Sequence, residues 1–216
     1  MRKETIFVNR VEAGKKLADK LSDYAGKEAL VYALPRGGVL VAAEVAKALD
    51  LPLDLVITRK IGHPINSEYA VGAVSISGET VFDPRELKII DRSYIKVRAQ
   101  AEMKEAQRRR KTYLGERKPI LARGKTAILV DDGLATGLSM IAAIREIKNQ
   151  KPREIIVAVP VTPRDNAEKI KREKVDLVAL LIPEYFLGAI GAYYHHFDQV
   201  SDEQVVQTLE SLAKNL

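Results

Sequence analysis

Runs of aliphatic residues alternate along the chain with stretches whose apolar positions recur every three or four residues. A nearly unbroken aliphatic run predicts a strand that is buried on both faces of a sheet. The strands are predicted at residues 28–34, 53–59, 126–130, 154–159 and 175–182. The helices are predicted at residues 39–50, 138–150 and 163–173, with two more at about 10–25 and 202–214. The alternation predicts βαβ crossovers, and therefore an α/β fold with a central parallel five-stranded sheet flanked by helices.

An insert of about residues 60–124 separates the second predicted strand from the third. Its first part, YAVGAVSISGETVF, predicts a hairpin that turns at Ser77 and Gly78. A long amphipathic helix is expected next, because apolar residues recur there as one stripe. The stripe consists of Ile95, Ala99, Met103, Ala106 and Tyr113. We find no internal repeat and no interdomain linker, so we predict a single domain over residues 1–216 that carries this insert.

The composition narrows the class of protein. Hydrophobic residues make up 46% and charged residues 30% of the 216 positions, which are values of a globular chain. The chain has no cysteine, which excludes disulfides and thiolate metal sites and suits a reducing compartment. The first ten residues, MRKETIFVNR, lack the apolar core of a signal peptide, and the apolar runs are too short to span a bilayer. We expect a cytoplasmic protein without a membrane span.

The net charge of +6 is unevenly distributed. Between residues 104 and 118, seven Lys and Arg residues oppose two Glu residues. Such a stretch is compatible with a solvated helix face, and equally with a polyanionic ligand or with nucleic acid. The charge alone does not decide among these interpretations.

The stretch ILVDDGLATGLSM, residues 128–140, contains the main candidate chemistry. Asp131 and Asp132 end a predicted strand, and a loop of small residues leads into a helix. The glycines Gly133 and Gly137 permit tight turns, and successive backbone N–H groups beside a helix N-terminus bind anions. Because carboxylates accept hydrogen bonds from hydroxyls and bind hard cations, the two acids suit a diol and a hydrated Mg²⁺. A phosphate beside a diol indicates a ribose 5-phosphate.

Two further anion-binding signals end the first two predicted strands. Pro35, Arg36, Gly37 and Gly38 precede a helix, and the arginine offers a bidentate fork for phosphate. The pair Arg59-Lys60 ends the second predicted strand. In a parallel sheet, ligands bind beyond the carboxyl ends of the strands, so the ends of three consecutive predicted strands carry suitable groups.

These motifs resemble those of the type I phosphoribosyltransferases. The segment ILVDDGLATG is similar to the family signature for 5-phosphoribosyl-1-pyrophosphate (PRPP), in which a strand and two acids precede a T-G loop. The wider pattern is similar to a group of stand-alone phosphoribosyltransferases of uncertain substrate. The matching motifs are LPRGGV, RKIG, NSEYAVGAV, VDDGLATG, VAVPVTP and GAYYHHFDQVSDEQV, which extend over most of the chain from residue 34 to 205.

The resemblance implies a role for each part of the predicted site. The acids Asp131 and Asp132 would hold the ribose hydroxyls and the metal, and Lys60 would face the pyrophosphate. Residues 35–38 would form the pyrophosphate loop, often with a strained or cis peptide, and residues about 183–200 a hood over the acceptor. Asp132, Arg36 and Lys60 would be the catalytic residues. The PRPP-binding set implied is Pro35, Arg36, Gly37, Gly38, Lys60, Asp131, Asp132, Gly133, Leu134, Ala135, Thr136, Gly137, Leu138 and Ser139, with Ala135–Ser139 as the 5′-phosphate loop.

The implied activity is transfer of the phosphoribosyl group of PRPP to a nitrogenous acceptor, with Mg²⁺ as cofactor and pyrophosphate as product. We expect a homodimer whose partners are small molecules. The alternative is a PRPP-sensing regulator that binds nucleic acid through its basic insert. Enzymes for 6-oxopurines carry an aspartate where this chain has Ala135, so we expect negligible activity with hypoxanthine or guanine.

Several other residues are weaker candidates. Tyr193 and Tyr194 precede His195 and His196, and this group forms either a stacking surface for a flat acceptor or a partly buried aromatic cap. Glu68 could orient Lys60 or Arg59, or simply begin a strand. His63 lacks partners at metal-ligand spacing and is not proposed as a ligand.

Overall fold

The computed structural model describes residues 7–67 and 69–213, and Glu68 therefore lies outside the described residues. The helices are α1 (Arg10–Lys20), α2 (Gly37–Leu49), α3 (Arg92–Leu114), α4 (Leu138–Lys148), α5 (Arg164–Arg172) and α6 (Asp202–Ala213). The strands are β1 (Ala29–Ala33), β2 (Leu53–Leu55), β3 (Thr58–Gly62), β4 (Ala70–Ser75), β5 (Thr80–Phe82), β6 (Thr126–Val130), β7 (Glu154–Val161) and β8 (Asp176–Leu181).

Five strands form a parallel sheet in the order β2-β1-β6-β7-β8, which confirms the predicted α/β fold. Side chains alternate between two hydrophobic clusters because successive residues of a strand point to opposite faces. On β1, Val31 belongs to the cluster that includes α1, α2 and α6, whereas Leu30 belongs to the one that includes α4 and α5. Both faces are covered, which explains the uninterrupted aliphatic runs.

The predicted strand at 53–59 is wrong in its second half. Residues Leu53–Leu55 pair with β1, but Thr58–Gly62 leave the main sheet and form the first strand of an antiparallel sheet, β3-β4-β5. The aliphatic run continues across the break because Val56 and Ile57 are buried between the two sheets. Arg59 and Lys60 consequently lie within β3, rather than at the carboxyl end of a main-sheet strand.

The insert consists of this small sheet and the helix α3. The hairpin turns at Ser77 and Gly78 as predicted, with φ of +97° at the glycine. Three residues of the predicted stripe, Ile95, Ala99 and Met103, pack on the small sheet, while Ala106 and Tyr113 reach the main core. The hydroxyls of Ser75 and Ser77 donate to Glu146 of α4, and Asn149 donates to Glu79 at 2.8 Å, so the hairpin is docked on α4.

The hood, residues 183–200, follows β8 and contains a short 3₁₀ helix at Ile190–Tyr193. It is tied to the start of the described chain, because the Phe7 N–H donates to Tyr193 O and the His195 N–H donates to Phe7 O, both at 2.8 Å. Phe7, Tyr193 and Tyr194 are buried together with Ile190 in a separate apolar cluster. This arrangement places the hood beside the carboxyl ends of β6 and β7.

The basic stretch 104–118 spans the second half of α3 and the turn that follows. Several of its arginines have partners within the chain. Arg108 and Arg109 pair with Glu105 at 2.7 and 3.0 Å, and Arg117 donates to Leu53 O at 2.9 Å. Hydrogen bonds from Arg108 lower the pKa of Glu105 to about 2. In the part of the chain that the structure describes, no helix combines the length and the apolar character needed to cross a membrane.

Candidate active site

Two loops meet at the carboxyl edge of the main sheet. The strands β1 and β6 are neighbours, so the loop Pro35–Gly38 lies directly beside Asp131 and Asp132. A β-carbon on Gly37 would lie 2.7 Å from Cγ of Asp132, and one on Gly38 would lie 2.9 Å from Cα of Asp131. Glycine is therefore required at both positions for the loops to approach. The peptide bond Pro35–Arg36 is cis, as the family resemblance implies.

A cavity of about 420 Å³ opens beyond the end of β6. Most of the predicted PRPP-binding residues on the acidic loop line it, together with Lys60. The predicted residues in its wall are Lys60, Asp131, Asp132, Gly133, Leu134, Ala135, Thr136, Gly137 and Ser139. The wall also contains residues that were not predicted, namely Arg10, Met140, Gly188, Ala189, Ile190, Gly191 and Phe197.

The predicted residues Leu138 and Pro35–Gly38 are not among those that line this cavity. Leu138, the first residue of α4, is 7% exposed and packs in the hydrophobic core. The loop Pro35–Gly38 contacts the acids from the side. The Arg36 guanidinium points towards α6, where it lies 3.6 Å from an oxygen of Asp202. Lys60 faces the cavity, while its neighbour Arg59 turns to the other side of β3 and donates to Glu102 of α3 at 2.9 Å.

The two carboxylates of the site have different surroundings. The Asp131 carboxyl group lies deep in the protein, although the residue keeps partial exposure, and its Oδ1 accepts the Asp132 N–H at 2.8 Å. Burial, together with the charge of Asp132, raises the pKa of Asp131 well above its usual range, and the positive charge of Lys60 opposes that rise. A further cation, or hydroxyl donors from a ligand, would favour the ionised form of Asp131.

Arg10, which the sequence reasoning missed, supplies the counter-charge for Asp132. Its Nε donates to Asp132 Oδ2 at 2.8 Å, its Nη1 donates to Asp198 O at 2.9 Å, and its guanidinium lies 3.8 Å from the centre of the Phe197 ring. The one available signal was its position as the first residue of α1, behind the Asn9 cap. A cation there opposes the helix dipole and suggests an anionic partner elsewhere.

The predicted phosphate loop runs from Gly133 into α4. Gly137 precedes the helix with φ of +78°, and a β-carbon on Gly133 would lie 2.5 Å from Ile190. Two residues of α5 hold the loop from outside: Asn166 donates to Ala135 O at 2.8 Å, and Lys169 donates to Thr136 O at 3.3 Å. Sequence reasoning missed both, although the predicted helix 163–173 follows a strand that ends at the same sheet edge.

The tyrosines of the hood are structural. The Tyr194 hydroxyl donates to Asp132 O at 2.7 Å, and burial raises the pKa of Tyr194. Tyr193 is fully buried and its hydroxyl accepts the Leu187 N–H, whereas His195 and His196 are exposed. The arrangement is that of a buried aromatic cap. The aromatic ring that lines the cavity belongs to Phe197.

The carboxylates of the site are the candidate ligands for Mg²⁺. Among residues 7–67 and 69–213, no group of three or more His, Cys, Asp or Glu residues could hold a metal ion by itself. Mg²⁺ commonly takes only one or two carboxylates and completes its shell with water and substrate phosphates. The pair Asp131 and Asp132 fits an ion that arrives with a phosphorylated substrate.

The main sheet has five parallel strands, and its carboxyl edge carries an acidic pair beside a glycine-bounded loop, with a hood over the same edge. These features define a type I phosphoribosyltransferase fold. The family model described as "Phosphoribosyl transferase domain" matches residues 7–195. The chain belongs to the phosphoribosyltransferase family.

Among its relatives, the chain is similar to the proteins named Putative phosphoribosyl transferase MT0597 and Rv0571c of two Mycobacterium tuberculosis strains. Each is 35% identical over 207 residues, which cover 95% of this chain and 46% of the relative. The chain thus spans about half the length of these curated relatives.

Two solved structures are similar to this chain in their fold. TT1426 from Thermus thermophilus is 40% identical, has a TM-score of 0.79, and the match covers 95% of this chain and 98% of that one. A hypothetical protein from Neisseria gonorrhoeae with bound ppGpp has a TM-score of 0.51 at 16% identity, with 98% of both chains covered. The second similarity concerns the fold alone.

Proposed function

We propose that the protein transfers the 5-phosphoribosyl group of PRPP to a nitrogenous acceptor and releases pyrophosphate. The observation that carries this proposal is the contact between Gly37–Gly38 and the pair Asp131–Asp132. It brings the candidate pyrophosphate loop beside the acids proposed to bind the ribose, at the edge where α4 begins. A ligand with phosphate groups on both sides of a ribose matches this order of groups.

The parts of PRPP are assigned by chemistry. The 5′-phosphate would lie on the loop Ala135–Ser139, where the N–H groups at the start of α4 point towards an anion. The ribose hydroxyls would bind the carboxylates of Asp131 and Asp132. The pyrophosphate would lie near the loop 35–38 and Lys60, and Arg36 would join it only if its side chain left Asp202.

The reaction breaks the bond between C1 of the ribose and the pyrophosphate oxygen, through an oxocarbenium-like state. Lys60 and Arg10 are the cations in the cavity wall, and Lys60 would stabilise the charge that develops on the leaving group. Mg²⁺ bound with the substrate would neutralise the pyrophosphate and part of the acid pair. Asp132 would hold the ribose so that the acceptor attacks in line.

The acceptor would enter beneath the hood. Its wall there is formed by Gly188–Gly191 and the ring of Phe197. This wall offers backbone groups and one aromatic face. The methyl group of Ala135 can neither accept a proton nor hydrogen-bond a purine, so we propose an acceptor other than hypoxanthine or guanine. A cytoplasmic location and a homodimer stay predictions from the sequence.

The test is a pyrophosphate-release assay with PRPP, Mg²⁺ and a panel of nitrogenous acceptors that includes adenine, hypoxanthine, guanine and non-purine bases. We expect release with at least one acceptor, and its loss in Asp132→Asn. Release with guanine as fast as with every other acceptor would contradict the interpretation of Ala135. Absence of release with the whole panel, combined with absence of PRPP binding, would contradict the proposed function.

A further inference from the structure

Arg10 lies at the junction of three parts of the molecule. It starts α1, its Nε contacts the acid that follows β6, and its Nη1 contacts the hood backbone at Asp198. The residue is only 9% exposed, and part of that surface lines the cavity. Arg10 therefore joins the N-terminal helix, the ribose-binding acid and the hood at one point.

The contacts of Arg10 require a guanidinium rather than any cation. A planar fork can donate to Asp132 and to Asp198 O in different directions while its flat face lies on an aromatic ring. The Arg10 Cζ lies over the Phe197 ring, 3.8 Å from its centre, which is within the range of a cation–π contact. A lysine ammonium could replace the charge beside Asp132, but it could not make all three contacts.

The packing around Asp132 leaves its carboxylate little freedom. A β-carbon on Gly37 would lie 3.0 Å from Nε of Arg10, so the loop 35–38 packs directly against the ion pair. The Tyr194 hydroxyl holds the Asp132 backbone carbonyl at 2.7 Å. Of these contacts, the one with Arg10 is the charged contact that fixes a side-chain oxygen of Asp132.

We propose that Arg10 is a positioning residue of the ribose site: it fixes the Asp132 carboxylate for the ribose hydroxyls and couples it, through Phe197, to the hood wall that faces the acceptor. The proposal rests on the proposed function for the identity of the ligand. The second part of the proposal, the coupling between Asp132 and the hood, does not depend on which ligand the cavity binds.

A variant series separates the contacts of Arg10. Arg10→Gln removes the charge, Arg10→Lys keeps the charge without the fork, and Phe197→Leu keeps the ion pair without the aromatic face. The matched control is Arg145→Gln, which breaks an ion pair of 2.9 Å between α4 and Glu173 away from the cavity. For each protein, PRPP binding with Mg²⁺ is measured beside thermal stability and hydrogen exchange of the ligand-free state.

We expect Arg10→Gln to weaken PRPP binding roughly 10–100-fold, by analogy with the loss of a residue that orients a metal ligand. Arg10→Lys should recover part of the affinity, and Arg145→Gln should bind as the wild type does. Without ligand, Arg10→Gln and Phe197→Leu should both accelerate hydrogen exchange in residues 183–198. A purely structural role would lower the stability of Arg10→Gln and Arg145→Gln alike and leave the affinity of both unchanged.

The two ways of failing are distinguishable. If wild-type protein does not bind PRPP, the proposed function fails, and the hydrogen exchange of the ligand-free variants still decides the coupling. If the wild type binds PRPP and Arg10→Gln binds it equally well, the positioning role is wrong while the proposed function stands. Unchanged exchange in residues 183–198 of Arg10→Gln would likewise overturn the coupling to the hood.

Discussion

Gly37 and Asp132 are so close that a β-carbon on the glycine would lie 2.7 Å from the carboxyl carbon of the aspartate. The two residues are far apart in sequence and meet because β1 and β6 are adjacent strands. Their contact joins the candidate pyrophosphate loop to the candidate ribose site. It also makes the glycine a sensitive test of that junction.

Gly37→Ala should displace the Asp132 carboxylate and weaken PRPP binding at least about tenfold, because one extra methyl group has no space there. The same overpacking should lower the free energy of unfolding by about 1–3 kcal/mol. Calorimetry and denaturant unfolding measure the two effects. The control is Ala48→Gly on the exposed side of α2, which should cost about 1 kcal/mol of stability and leave PRPP affinity unchanged. Equal affinities of Gly37→Ala and wild type would contradict the assignment.

Asp131→Asn should stabilise the protein while abolishing PRPP binding. Burial and the neighbouring charge of Asp132 raise the pKa of Asp131, so ionising this carboxyl group in the folded state costs free energy. The amide avoids that cost, and its oxygen can still accept the Asp132 N–H. We expect the melting temperature to rise by a few degrees at neutral pH.

The stabilisation by Asp131→Asn should depend on pH in a defined direction. A carboxyl group whose pKa is raised by folding favours the folded state at acid pH, and this contribution is lost as the pH rises through the raised pKa. The advantage of the asparagine variant should thus be smallest near about pH 4, the ordinary pKa of an aspartate, and should grow as the pH rises towards neutrality. Melting curves of both proteins across this interval are the measurement. A constant or shrinking difference would show that Asp131 is not a strained carboxylate.

Lys169→Met should weaken PRPP binding roughly tenfold, since the lysine places a cation beside the Thr136 carbonyl in the candidate phosphate loop. The matched control is Lys171→Met on the same helix, which breaks only an exposed pair with Glu168. Binding of PRPP and of ribose 5-phosphate is titrated for both variants. Equal affinities of the two variants for both ligands would exclude Lys169 from the phosphate site.

The sequence predicted the parts of the fold that depend on periodicity. Aliphatic runs buried on both faces identified the parallel strands, and the helix stripes identified α2, α4 and α5 within two residues at each end. The end of β2 at Leu55 was missed because the two residues that connect it to β3, Val56 and Ile57, are apolar and buried. No polar residue, glycine or proline marks the change of sheet. Burial alone cannot distinguish one sheet from two.

The candidate site was predicted where a motif is continuous in sequence, and missed where it depends on contact between distant residues. The acids and the loop up to Ser139 form one continuous segment, and all of its residues except Leu138 line one cavity. Arg10 precedes Asp132 by 122 positions and carries no motif, so only the fold reveals the pair. The direction of Arg36 was equally hidden, because it depends on where α6 places Asp202.

The most direct test of the proposed PRPP site is a calorimetric titration of PRPP, with Mg²⁺ present, into wild-type protein and into Asp132→Asn. The substitution keeps the size of the side chain and removes the charge proposed to hold the ribose. We predict saturable binding to the wild type and binding at least about tenfold weaker to the variant, in line with the loss of a charged hydrogen-bond acceptor. Equal affinity in the two proteins, or no binding to the wild type, would contradict the proposed site.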